Sequence, residues 1–328
     1  MSLERVAIVG AGGWGTALAQ AAAAAGRDVL LVGRDPAVIE AINTRHRNPR
    51  YLGELALDQR IRAAPTFDGD ADLLVMAVPA QATRAALGAL GPERLAGRPV
   101  LLTAKGLEAG SLKRQSEVLL EGAPKAVPYV LSGPSFAVDV AAGRPTAVTL
   151  AGDDPEATEG LAAALAGPAL RPYAAGDRLG VEMAGALKNV YALACGAVDG
   201  AGLGASARSA LLARAFAEMS RIIAGLGGSP TTLTGLAGLG DLALSCTSTQ
   251  SRNYQFGMAL GRGDRAAAIS ASVGLAEGTA TAPVAAALAR QLRIDAPLIL
   301  AVNQLLADES SITSIVASLM SRPLKRED

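Results

Sequence analysis

Residues 5–26 read RVAIVGAGGWGTALAQAAAAAG. Arg5–Val9 is continuously apolar after its first residue, the pattern of a strand buried on both faces. Gly10-Ala11-Gly12-Gly13-Trp14-Gly15 then has the form G-x-G-x-x-G, and residues 13–25 read as an alanine-rich helix closed by Gly26. A strand, this glycine turn and a helix in immediate succession form the context in which the motif binds a dinucleotide. Gly10 permits the tight turn, Gly12 lets the backbone approach a pyrophosphate, and Gly15 lets helix and strand pack closely. The helix start adds unpaired N–H groups and a partial positive charge for phosphates. The competing reading is a glycine-rich turn without a ligand.

Working outward, Asp28–Val32 is a second strand, and residues 36–44 form a helix with Pro36 in its first turn. Residues 45–60 hold Asn, Pro and Gly and read as loop. Stretches 73–78, 100–103, 126–131 and 147–150 are further buried strands, several with helical patterns between them. Runs of this kind predict a parallel sheet covered on both sides. From about Gly180 helical patterns dominate, over 181–198, 206–227, 253–261, 277–291, 296–307 and 311–320. The expected fold is α/β: an N-terminal Rossmann-type doubly wound sheet in residues 1–179, followed by an all-α C-terminal domain in 180–328. The charged tail 324–328 is expected to fray.

Composition narrows the function. A chain of 328 residues, half of them apolar, is long enough for two domains, and an aromatic content of 3% argues against a large all-β protein. Net charge is zero, so nucleic acid is not an expected partner. Cys195 and Cys246 make neither a metal-ligand pattern nor a disulfide framework and fit a reducing compartment. His46 is the one histidine, which excludes a histidine-rich zinc site, and no metal is expected. Met1–Arg5 leads directly into the first strand without the apolar region and cleavage site of a signal peptide. No run of about 18 purely apolar residues occurs. No membrane insertion and a cytoplasmic location are therefore expected.

The end of the second strand bears on the cofactor. An NAD site usually carries Asp or Glu there for the ribose 2′-hydroxyl. This chain has Gly33-Arg34-Asp35-Pro36, so Arg34 stands where a cation could meet a 2′-phosphate. NADPH is expected first, with NADH as the alternative; Asp35 leaves that choice open, as does a reading of Arg34 as a solvated loop residue.

Lysine is scarce: of 30 basic residues five are Lys, at 105, 113, 125, 188 and 325. Val181, Ala184, Gly185, Lys188, Tyr191, Ala192 and Cys195 share one helical face that is otherwise apolar or small. An ammonium there would be partly desolvated, which lowers its pKa and suits a general acid/base near neutral pH. The alternative is a lysine whose head reaches water along its stem. Lys105 follows a strand directly, where ligands of open α/β sheets bind; it reads equally as an ordinary loop lysine.

Together with Gly10–Gly15, the stretches TAKGL (103–107), SGPSFA (132–137), GALKN (185–189) and GLAGLGDLALSCTSTQSRN (235–253) resemble the bacterial-type NAD(P)-dependent glycerol-3-phosphate dehydrogenase family over nearly the whole chain. The resemblance implies hydride transfer between NADPH or NADH and dihydroxyacetone phosphate, giving glycerol 3-phosphate for phospholipid synthesis. It implies Lys188 as the catalytic proton donor and acceptor. The implied substrate set is Lys105, Gly133, Ser135, Lys188, Asp241, Ser251, Arg252 and Asn253. Alongside Gly10, Gly12 and Gly15 it implies cofactor contacts at Gly13, Trp14, Arg34, Tyr51, Lys105, Ala137, Arg252, Leu275 and Glu277. Asp241 reads otherwise as a helix cap and Arg252 as a surface charge. A homodimer through the helical domain is a weaker implication. Two other readings stay open: a β-hydroxyacid dehydrogenase or ketoacid reductase, and an NADP-binding redox sensor without turnover.

Overall fold

A computed structural model describes the chain apart from Met1, Ser2, Asp68, Lys325, Glu327 and Asp328. The signal-peptide reading of Met1–Arg5 and the fraying of tail 324–328 thus fall partly outside the described residues. The strands are β1 (Arg5–Val9), β2 (Asp28–Val32), β3 (Ile61–Ala64), β4 (Leu73–Met76), β5 (Pro99–Leu102), β6 (Val127–Ser132), β7 (Thr146–Ala151) and β8 (Leu170–Ala175). They form one sheet of order β3-β2-β1-β4-β5-β6-β7-β8. Its first six strands have the doubly wound order whose direction of winding reverses between β1 and β4, the crevice where such sheets bind ligands.

Between the strands run α1 (Gly13–Ala24), α2 (Pro36–Arg45), α3 (Pro49–Leu52), α4 (Thr83–Leu90), α5 (Gln115–Gly122), α6 (Ala137–Ala141) and α7 (Pro155–Leu165). Helices α1, α2, α6 and α7 bury apolar side chains such as Leu18, Ile42, Val140 and Leu161 against one face of the sheet. On the other face α4 and α5 contribute Leu87, Leu90, Val118 and Leu119. Both faces are covered, as the uninterrupted apolar strands require.

The sheet is not wholly parallel, which corrects the expectation. β7 runs antiparallel to β6, and β8 is parallel to β7. Helix α6 has five residues and rises about 7 Å, whereas returning the chain along the six residues of β6 takes about 20 Å. The chain therefore comes back as a strand. β3 and β8 were missed because Arg62 and Arg171-Pro172 interrupt their apolar runs; loop 45–60 contains the single turn α3.

β8 ends at Ala175, and α8 (Arg178–Gly200) begins a wholly helical region. It continues with α9 (Ala205–Gly225), α10 (Asp241–Thr247), α11 (Arg252–Gly261), α12 (Ala266–Val273), α13 (Glu277–Gln291), α14 (Pro297–Leu306) and α15 (Ile312–Met320). Every residue of α8 from Gly180 to Val198 is buried, so it is the axis around which the others pack. Two buried carboxylates fix its surroundings. Glu182 accepts the N–H and hydroxyl of Ser116 at 2.8 and 2.7 Å, tying α8 to the start of α5. Glu218 accepts the N–H groups of Leu298 and Ile299, each at 3.0 Å, at the start of α14. Burial pushes both carboxyls above the usual range.

Helices α8 and α11 approach through Gly196, Gly200, Gly257 and Gly261. A Cβ on Gly196 would lie 2.1 Å from the Tyr254 carbonyl oxygen, and one on Gly257 2.0 Å from that of Leu193. Four-residue spacing on both helices makes one continuous seam of backbone contact. Gly257→Ala is expected to cost about 1–3 kcal/mol, because the crossing must open to admit a methyl group. Thermal unfolding measures this; an unchanged midpoint would show that the seam can yield.

Candidate active site

The glycine turn joins β1 to α1 as the motif demands. Gly10 has φ 117°, and a Cβ on Gly15 would lie 1.9 Å from the Gly10 carbonyl oxygen, so neither position admits a side chain. Gly12 has open space where its Cβ would be, and no side chain caps α1. The first N–H groups of α1 thus face an open approach, which fits a pyrophosphate. Gly13 looks towards Ala137 and Tyr51, each with its Cβ 3.8 Å from a Cβ built on that glycine. Trp14 packs partly buried nearby, its indole N–H without a partner among the described residues. Arg34 is exposed at the end of β2. Five expected cofactor positions, Gly12, Gly13, Trp14, Tyr51 and Ala137, thereby converge on one turn.

Beyond the carboxyl ends of β4 and β5 lies a second cluster. Lys188 Nζ donates to Asp241 Oδ1 at 2.5 Å and to Ser245 Oγ at 2.7 Å. Lys105 Nζ donates to Asp241 Oδ2 at 2.6 Å and to the Gly133 carbonyl at 3.1 Å. Ser135 Oγ donates to that same carbonyl at 3.0 Å. Lys188 is 7% exposed and Asp241 1%, so the water-reaching lysine is not what the structure holds. Nor is Asp241 a cap: it is the first residue of α10, following a π-helical turn, Leu236–Gly240, and its carboxylate serves the two lysines. Burial lowers the Lys188 pKa to about 8, against the pull of Asp241 and with help from the Lys105 charge. Burial would raise the Asp241 carboxyl, but Lys105 and Lys188 outweigh it and hold the group below its ordinary value. An ammonium has three N–H directions. Each lysine spends two of them here, leaving one for a substrate oxygen.

The start of α11 is joined to this centre by amides. Asn189 Nδ2 donates to the Lys105 carbonyl at 2.8 Å, and Asn253 Nδ2 donates to Asn189 Oδ1 at 2.9 Å. Asn253 Oδ1 in turn accepts the Gly278 N–H at 2.9 Å. Ser251 caps α11 by accepting the Tyr254 N–H at 3.3 Å. The N–H groups of Arg252 and Asn253 remain at the open helix start, beside the exposed Arg252 side chain. Glu277 accepts the N–H of Ala80 at 3.0 Å and of Lys105 at 3.3 Å, clasping the ends of β4 and β5 from the helical region. Leu275, two residues earlier, is 49% exposed.

Sequence reading missed Asn189 and Ser245. Ser245 lies one turn after Asp241, a spacing that puts both side chains on one face of a helix. Asn189 is an amide in an otherwise apolar helix, and a buried amide must find partners.

A doubly wound sheet with a glycine turn open to a pyrophosphate, together with a buried lysine paired to an aspartate beyond the ends of β4 and β5, defines a dehydrogenase of the Rossmann class. Residues 5–158 match the model for the NAD-dependent glycerol-3-phosphate dehydrogenase N-terminus, and residues 177–317 match that for its C-terminus. The glycerol-3-phosphate dehydrogenase (NAD(P)+) of Caulobacter vibrioides is 48% identical over 330 residues, covering 100% of both chains. That of Brucella canis is 49% identical over 327 residues, covering 99% of each. The crystal structure of the Coxiella burnetii glycerol-3-phosphate dehydrogenase superposes with a TM-score of 0.91 at 35% identity, covering 98% of this chain and 99% of that one. The chain belongs to the NAD-dependent glycerol-3-phosphate dehydrogenase family.

Proposed function

We propose that the chain interconverts dihydroxyacetone phosphate and glycerol 3-phosphate with NADPH, or secondarily NADH, and so supplies phospholipid synthesis. One observation carries this reading: Asp241 draws two lysines together at the carboxyl end of the sheet, and the open start of α11 is tied to them through Asn189. The bound dinucleotide supplies the hydride donor and acceptor. The chain's own residues do the rest. Arg252 and the first N–H groups of α11 hold the phosphate, which sets where the ketone lies. Lys188 turns its remaining N–H to the ketone oxygen and gives up a proton as that oxygen gains charge; in the other direction its neutral amine accepts the proton. Lys105 adds a second positive charge beside the same oxygen.

The same proposal takes residues 1–179 as the dinucleotide-binding domain and 180–328 as the substrate and catalytic domain. Among the described residues no helix is long and apolar enough to cross a membrane. A cytoplasmic location and a homodimer through the helical region complete the reading.

The test is an NADPH oxidation assay on dihydroxyacetone phosphate and on carboxylate ketones of similar size. Arg252→Ala should raise KM for the phosphate substrate by about 10- to 100-fold through loss of a charge-assisted contact. A wild-type preference for a carboxylate substrate would favour a hydroxyacid dehydrogenase, and dinucleotide binding without turnover would favour a sensor.

A further inference from the structure

The adenosine side of the glycine turn is shaped by a segment that reads as loop. Asn48, fully buried, donates through Nδ2 to the Ala11 carbonyl at 3.1 Å and to Thr16 Oγ1 at 2.8 Å. These bonds bolt the start of α3 to the glycine turn and to α1. After Pro49, Arg50 and Tyr51 are stacked, with the guanidinium carbon 5.5 Å from the ring centroid. From there Arg50 Nη1 donates to Asp35 Oδ2 at 2.5 Å. The other carboxylate oxygen, Oδ1, accepts the Ala37 N–H at 3.0 Å and caps α2. Asp35 is the acid nearest the end of β2, where a carboxylate would select the unphosphorylated ribose. Here both its oxygens are already engaged.

We propose that Arg50 is a specificity-determining residue, which masks the Asp35 carboxylate and joins Arg34 in binding the 2′-phosphate of a phosphorylated dinucleotide. The inference rests on the dinucleotide site described above and deepens it. The Arg50 and Asp35 side chains are 61% and 37% exposed. An ion pair so open to water holds weakly. The guanidinium has five N–H donors and can therefore keep one on the carboxylate while it turns others to a phosphate near charge −2, whose oxygens match its planar fork. Asn48 keeps the base of the arm in place while its tip takes a second partner. The Ala37 N–H and the Arg50 guanidinium also hold the Asp35 carboxyl below its ordinary value. Without Arg50, an ionised and uncovered Asp35 would repel a 2′-phosphate and accept from a 2′-hydroxyl.

Calorimetric titration with 2′,5′-ADP and with 5′-ADP tests this without turnover. In Arg50→Ala the affinity for 2′,5′-ADP should fall about tenfold, the scale of one charge-assisted bond, while that for 5′-ADP holds or improves. Adding Asp35→Asn, which keeps the cap, should recover part of the loss by removing the repulsion. The exposed position predicts an unchanged melting temperature for Arg50→Ala, which checks folding. Equal loss for both ligands, or no loss for either, overturns the role given to Arg50. If the wild-type chain binds neither ligand, the dinucleotide site itself is wrong.

Discussion

Lys188→Ala is expected to lower turnover about 10²- to 10⁴-fold, the range spanned by a positioned general acid/base, while dinucleotide affinity stays near that of the wild type. The glycine turn lies on β1 and α1, and Lys188 on α8, so the substitution removes no group from the pyrophosphate approach. Its pH signature is more specific than its size. Burial brings the lysine to about 8. Ketone reduction needs the protonated form and should decline as pH rises through about 8; alcohol oxidation needs the neutral amine and should climb through the same interval. Lys188→Arg retains a cation that cannot deprotonate and should not restore oxidation. Pre-steady-state rates in both directions would measure these limbs. If the alanine variant keeps near-normal turnover, or the limbs persist in it, another group moves the proton.

Asp241→Asn should damage both stability and chemistry. The carboxylate sits 1% exposed between two ammonium groups, and its loss leaves two cations facing each other without a counter-charge. Breaking a buried pair in this way costs about 3–5 kcal/mol. Relief is available if one lysine gives up its proton. Asp241 raises the Lys188 pKa and Lys105 lowers it, so removal of Asp241 shifts that pKa down. The alkaline decline of ketone reduction should therefore begin below the wild-type value of about 8. Denaturant titration reads the first effect and a pH–rate profile the second. A variant that unfolds normally and keeps the wild-type midpoint would show that Asp241 does not hold the two lysines.

Much of the site was legible because its signals are local. The strand–glycine–helix succession at residues 5–26 states its own backbone requirements, and the space around Gly10 and Gly15 bears them out. Lys188 stood out as a charge on an apolar helical face and proves buried. Asp35 shows the limit: its sequence position suggests a ribose acceptor, yet its oxygens go to a helix cap and to Arg50, fifteen positions away.

From the amino-acid order alone follow the strand and helix periods, the dinucleotide turn and the change from a sheet to a helical region, because each depends on neighbours within a few turns or one strand. Folding alone decided that β7 and β8 reverse direction, that the α8–α11 seam is made of backbone, and that residues 105, 188 and 241 meet. Asp241 lies 53 positions from Lys188 and 136 from Lys105. Over such separations local preference carries no information about contact. The burial of α8 and its close crossing with its neighbours bring the three charges together.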